Sequence, residues 1–97
     1  MACCDLKGML TFLVLWIINK EPANGASIAR EIEKRKGCKP SPGTIYPVLK
    51  DLKEKGLVTV KEKEYHITDK GHKELHAGCS LFKKIFYDVE EICRKCD

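Results

Sequence analysis

The stretch Ser41-Pro42-Gly43-Thr44-Ile45-Tyr46-Pro47-Val48-Leu49-Lys50-Asp51-Leu52, continued by Lys53-Glu54-Lys55-Gly56-Leu57, decides the fold. Ser41 offers an N-cap hydroxyl, and Pro42 suits the first helical position, where its missing N–H costs nothing. Gly56 stops the helix after Lys55. Ile45, Val48, Leu49 and Leu52 share one face. Helical periodicity then turns Gly43, Pro47, Lys50 and Glu54 outward, with Thr44, Tyr46 and Asp51 on the flanks. Pro47 removes a backbone bond in mid-helix and predicts a kink, which a helix serving only the core has no reason to accept.

Working outward, residues 5–19 read as a helix ended by the Lys20-Glu21-Pro22 cluster. Leu6, Met9, Leu10, Leu13, Val14, Ile17 and Ile18 form its apolar face, but Phe12, Leu15 and Trp16 make much of the other side apolar too. A single protomer of this size would struggle to bury both. Asn24-Gly25 makes a turn, and residues 27–36 form a short amphipathic helix stopped by Gly37. Beyond Gly56 the period changes: Val58 and Val60, then Tyr65 and Ile67, alternate with polar residues around Lys61 to Glu64, the pattern of a β-hairpin. Residues 69–96 read as one last helix, because Leu75, Cys79, Phe82, Phe86, Val89, Cys93 and Cys96 follow alternating steps of four and three, with Leu81, Ile85 and Ile92 widening the face. Three helices and a ribbon in this order predict a mainly α (α+β) chain with a small hairpin wing: a winged helix-turn-helix with a long C-terminal dimerisation helix. The expected division is residues 1–70 for nucleic-acid binding and residues 71–97 for dimerisation.

The chain has 97 residues, enough for one core and no more, and its 43% hydrophobic and 33% charged residues describe a globular domain. The net charge of +4 is unevenly placed. Residues 34–50 hold Lys34, Arg35, Lys36, Lys39 and Lys50 with no acid, whereas residues 71–97 are balanced in sign. A one-signed block of this kind fits a phosphate backbone better than a merely solvated face. The apolar run from Met9 to Ile18 is about half the length that spans a bilayer, and no signal-like cleavage site follows it, so a cytoplasmic protein is expected with no membrane partner.

The run Gly43-Thr44-Ile45-Tyr46-Pro47-Val48-Leu49, then Glu54-Lys55-Gly56-Leu57, then Tyr65-His66-Ile67-Thr68-Asp69-Lys70-Gly71, closely resembles the PadR family of transcriptional regulators. The resemblance covers roughly Leu6 to Leu75. It implies a homodimer that binds double-stranded DNA, with the third helix in the major groove. On that basis Ser41 and Thr44 are expected to bind phosphate or base edges, Lys50 to reach a base, and Tyr46 to contact the backbone or else pack against the wing. Lys34, Arg35 and Lys39 add cationic contacts. Lys61 and Lys63 flank the wing tip. The wing is short and lacks arginine, so it is expected to touch backbone only. The resemblance also implies that the last helix packs on the first helix of a second copy, through Phe12, Trp16, Leu75, Phe82, Ile85, Phe86 and Val89. Relatives respond to phenolic or drug-like ligands, but no effector is legible here; Trp16 would line such a pocket or be plain dimer core.

Six cysteines allow three readings. Cys93 and Cys96 lie on the apolar seam and serve as small hydrophobes; Cys3, Cys4, Cys93 and Cys96 supply four zinc thiolates; or the termini are joined by a disulfide. The disulfide is preferred, with no cofactor and with Cys38 and Cys79 as free thiols. His72 and His76 are four apart and could share a metal, but no third ligand converges in sequence, so they are read as solvated; His66 is read as structural. Catalysis is set aside, because there is no phosphate-binding glycine loop, paired-carboxylate spacing or Ser/His/Asp pattern. Two alternatives to a DNA-binding repressor stay open: a winged helix used as a protein-interaction module, and a thiol- or metal-responsive sensor.

Overall fold

The computed structural model describes residues 7–96, with side chains placed for residues 9–93. The elements are α1 (Lys7–Lys20), α2 (Gly25–Lys36), α3 (Pro42–Glu54), β1 (Val58–Lys61), β2 (Glu64–Ile67), α4 (Asp69–Ile85) and α5 (Val89–Cys96).

The first helix is central because it is apolar on nearly every side. Leu10, Val14, Ile17 and Ile18 are buried as the periodicity predicts, and Leu15, on the opposite side, is buried as well. The protomer achieves this by wrapping: α1 touches α2, α3, α4 and β2. The apolar surplus left for a second copy is therefore smaller than the sequence implies, namely exposed Met9 and the half-buried Phe12, Leu13 and Trp16. Ile28 and Ile32 of α2, Ile45, Leu49 and Leu52 of α3, Val58 of β1 and Leu75 of α4 complete the core.

Local chemistry sets the element ends. The Asn24 side chain accepts the Ser27 N–H at 2.8 Å and starts α2 two residues earlier than the periodicity indicates. Gly37 ends it at φ 88°, its N–H bonded to Glu33 O at 2.8 Å. The hairpin pairs Val58 with Ile67 through to Lys61 with Glu64, leaving a two-residue turn, Glu62-Lys63, with both φ angles positive. Its other edge is held by Ala23, which exchanges two backbone hydrogen bonds with Tyr65, so the wing is docked to the α1–α2 connection.

The glycines and threonine of the motif now have mechanical roles. Gly56 takes φ 75°, and the next carbonyl, Leu57 O, accepts from Thr68 N at 3.0 Å. Thr68 caps α4 by accepting the Gly71 N–H and donates its own hydroxyl to Gly56 O at 2.7 Å. A side chain on Gly71 would run into Leu57 O, so only glycine lets α4 leave the wing at this angle.

The expected single last helix is broken. α4 ends at Ile85, Phe86 leaves helical geometry at φ −111° and ψ 42°, and α5 begins at Val89. Asp88 followed by Glu90 and Glu91 is an acidic helix start, which favours a new N-terminus at this point over continuation. The alternating seam is thus continuous only as far as the break. Leu75, expected on the dimer seam, is 3% exposed inside the protomer's own core, because the first two turns of α4 lie on α1.

Candidate nucleic-acid interface

The outer face of α3 carries the chemistry. Ile45, Leu49 and Leu52 anchor the helix in the core, while Gly43, Tyr46, Pro47 and Lys50 are exposed and Thr44 is half-exposed. Ser41 is the N-cap residue by backbone geometry but makes no side-chain cap; its hydroxyl lies 3.2 Å from the Thr44 hydroxyl, and its carbonyl takes both the Thr44 and Ile45 N–H groups. Of the helix-start amides expected to be open to phosphate, Gly43 N–H is the one without a partner among the described residues. Two adjacent hydroxyls and one amide remain at the tip, with Lys39 exposed just before them. Asp51, the one acid in the middle of the helix, is held by Lys55 at 2.9 Å.

Tyr46 reaches back to α2. Its ring lies across the first residue of α2: a Cβ built on Gly25 would stand 3.0 Å from both Tyr46 Cε1 and Oη. The phenol stays 52% exposed, so its hydroxyl sits at the N-terminus of α2 and on the same side of the domain as the α3 face. An N-terminal helix end and a neighbouring phenol are both suited to phosphate oxygens. The sequence did not point to Gly25 as the residue that seats this ring.

The basic block divides. Lys34 and Arg35 both reach Glu31, at 3.9 Å and 3.2 Å, and with Ile17, Lys20, Ala23 and Arg30 they line a groove between α1 and α2. Lys36 turns its ammonium away from solvent: Nζ is buried without a hydrogen-bond partner among the described residues, beside an apolar cavity of about 360 Å³ that includes Phe12, Trp16, Cys79 and Phe82. Lys39 and Lys50 are exposed, as are Lys61 and Lys63 on the wing. Lys61 is the cross-strand partner of Glu64.

Phe82, Ile85, Phe86 and Val89 are exposed, as are Leu81, Tyr87 and Ile92. The Phe82 and Phe86 rings lie 5.0 Å apart. Of the cysteines, Cys3, Cys4 and the Cys96 side chain lie outside the described residues. Cys93, expected in a disulfide or zinc site, is a free, exposed thiol, since it projects from the short α5 into solvent. Cys79 is free, but Cys38, expected to be free, is disulfide-bonded; it stands in the open turn between α2 and α3, where no helix restrains its approach to another thiol. Among the described residues no three His, Cys, Asp or Glu side chains converge as metal ligands, and no helix is long and apolar enough to cross a membrane.

A three-helix core with an exposed third helix, followed by a paired ribbon docked beside it, defines a winged helix-turn-helix protein. Residues 14–77 match the family described as "Transcriptional regulator PadR-like family", and the chain belongs to it. It is 36% identical over 59 residues to the transcriptional regulator YqjI of Escherichia coli K12, a match covering 59% of this chain and 28% of that protein; the chain thus spans well under half the length of that curated relative. Among solved structures, a PadR-like transcriptional regulator from Bacillus cereus superposes with a TM-score of 0.77 at 30% identity, covering 91% of this chain and 94% of that one. A PadR-like transcription factor from Bacteroides fragilis gives 0.75 at 29% identity, covering 89% and 91%.

Proposed function

We propose that the chain is a sequence-specific, double-stranded-DNA-binding transcriptional repressor that acts as a homodimer in the cytoplasm, and not a catalyst. The observation that carries this reading is the composition of the α3 face: Gly43, Thr44, Pro47 and Lys50 point outward with no free acid between them, flanked by the Tyr46 phenol and the wing lysines. A glycine and a proline let the helix approach closely, hydroxyls and the phenol hold phosphates, and Lys50 is the long cation placed to read a guanine edge. Lys61 and Lys63 supply backbone contacts. Lys34, Arg35, Lys39 and Ser41 are assigned longer-range attraction or phosphate contact. Two copies joined through the distal part of α4 and α5, by Phe82, Ile85, Phe86 and Val89 with Phe12 and Trp16, would hold two α3 helices about one DNA turn apart.

Selection of duplexes from a random pool tests this. An enriched inverted repeat is expected, with affinity falling linearly in log salt as lysine contacts release counterions. Lys50→Ala should lose about 1–3 kcal/mol of discrimination between that site and random DNA if Lys50 reads a base. Failure to bind any duplex would favour the protein-interaction module. The disulfide at Cys38, in the turn leading into α3, supports a second reading in which thiol oxidation tunes DNA binding. Affinity that changes with dithiothreitol in the wild type, but not in Cys38→Ser, would support it.

A further inference from the structure

We propose that His72 and His76 form a two-histidine site for a divalent transition-metal ion on the outer face of α4. The residues are four apart, so they stand on successive turns of one helix face, and both are exposed. Their rings are already together, with centroids 4.9 Å apart and planes at 62°. The spacing is the one by which two imidazoles on a helix bind a single zinc ion.

What separates this pair from two solvated histidines is Asn19. Its amide oxygen lies 3.1 Å from His72 Nδ1, reaching across from the last turn of α1. An oxygen there accepts, so Nδ1 carries the proton and the Nε2 lone pair is left to bind a metal. Holding one ring nitrogen by a fixed acceptor is the arrangement that orients metal-ligating imidazoles and raises their basicity. His76 makes no hydrogen bond or ion pair among the described residues, so its ring is free to turn toward the same ion.

The donor set selects the ion. Two imidazoles suit zinc, copper(II) and nickel(II), whereas calcium and magnesium require oxygen ligands. Because no third ligand converges among the described residues, water completes the shell, and the site is open and reversible rather than structural. Cys79, the next half-buried thiol along the helix, lies outside the group. An ion held here would staple the first two turns of α4 at the point where Asn19 links them to α1, stabilising that junction in proportion to its occupancy.

The test is titration of the full chain with nickel(II) chloride while amide NMR spectra are recorded. Paramagnetic broadening should saturate and centre on residues 72–76 and Asn19. His72→Ala and His76→Ala should each weaken binding about tenfold or more, and Asn19→Ala, which leaves both ligands in place, by about tenfold. Since the His76 imidazole is exposed and makes no hydrogen bond among the described residues, the metal-free His76→Ala chain should melt with the wild type, which separates loss of the site from loss of the fold. Broadening that survives in the doubly substituted chain, or that centres on Cys79 or Cys93, would overturn the proposal.

Discussion

The Tyr46 ring rests on Gly25, so the one large aromatic on the outer face of α3 is seated by the first residue of α2. The contact couples the two helices of the helix-turn-helix at the surface assigned to DNA. Gly25→Ala would place a methyl 3.0 Å from the ring, and the phenol, at the far end of a side chain, would move by a few tenths of an ångström to admit it. The expected result is a melting temperature close to wild type and weaker binding to cognate and random duplex alike, because a displaced backbone contact carries no sequence information. Tyr46→Phe should produce the same uniform loss, about 1 kcal/mol for one hydrogen bond. A change in sequence preference in either variant would show that Tyr46 reads a base.

Gly71 and Gly43 make a contrasting pair. A Cβ on Gly71 would collide with the Leu57 carbonyl, which is backbone and already accepts the Thr68 N–H, so neither partner can give way cheaply. Gly71→Ala should cost more than about 2 kcal/mol by urea denaturation. On Gly43 the nearest side-chain atom is Ser41 Oγ at 3.8 Å. Gly43→Ala should therefore stabilise the helix by about 0.5–1 kcal/mol while weakening DNA binding, since it adds a methyl on the face that approaches the groove. A Gly43→Ala chain that binds DNA as the wild type does would place the groove contact elsewhere on α3.

These residues show where the sequence was legible. The third helix could be read to within a residue because Ser41-Pro42 and Gly56 punctuate it and Ile45, Leu49 and Leu52 repeat at helical spacing. The hairpin was legible from its alternation. The break at Phe86 was not, because a heptad pattern weighs apolar spacing and passes over the acidic start at Asp88. Nor could spacing place Lys36 inside, beside Trp16, or Leu15 in the protomer's core: both depend on how the other elements pack around α1, which is a tertiary matter. At the site, the residue types on α3 were legible and their partners were not. Tyr46 on Gly25 and Asn19 on His72 join residues of different helices, pairings that follow only from geometry, whereas the Glu31 pairs with Lys34 and Arg35 have the i,i+3 and i,i+4 spacing that a helix dictates.

The wing tip carries backbone strain. Glu62 and Lys63 have φ of 51° and 70°, the conformation of a two-residue hairpin turn that asparagine and glycine adopt most readily. A left-handed conformation costs a side-chain-bearing residue about 1–2 kcal/mol. The double substitution Glu62→Asn with Lys63→Gly should raise stability by about 1 kcal/mol and the melting temperature by about 4–8 °C. DNA affinity should fall and the salt dependence flatten by about one counterion, as the Lys63 charge is lost. The single substitution Glu62→Asn, which keeps Lys63, should bind DNA with the wild-type salt dependence. If affinity is unchanged in the double variant, the wing tip stands clear of the phosphates.

The proposed dimer makes the most decisive prediction. Phe82 and Phe86 are 47% and 50% exposed, and their rings lie 5.0 Å apart. They follow Leu75 and Cys79 along α4, with Phe82 at the rim of the apolar cavity it shares with Phe12 and Trp16 and Phe86 one turn further on. Exposure on the protomer means that carboxylates at both positions would not unfold it, since aspartate there can remain hydrated. In a dimer seam the same carboxylates would be buried against apolar partners, at a cost of several kcal/mol. Phe82→Asp with Phe86→Asp should therefore leave the helical circular dichroism of the protomer and abolish self-association. Phe12 and Trp16, left half-covered, would make the variant prone to aggregation at high concentration. Binding to an inverted repeat should weaken far more than binding to a single half-site, because the two α3 helices would no longer be joined. Sedimentation equilibrium checks it: the wild type should run at twice the 11.0 kDa chain mass and the variant at that mass. A wild-type protein that sediments at the chain mass at micromolar concentration would remove the dimer, and with it the paired half-sites.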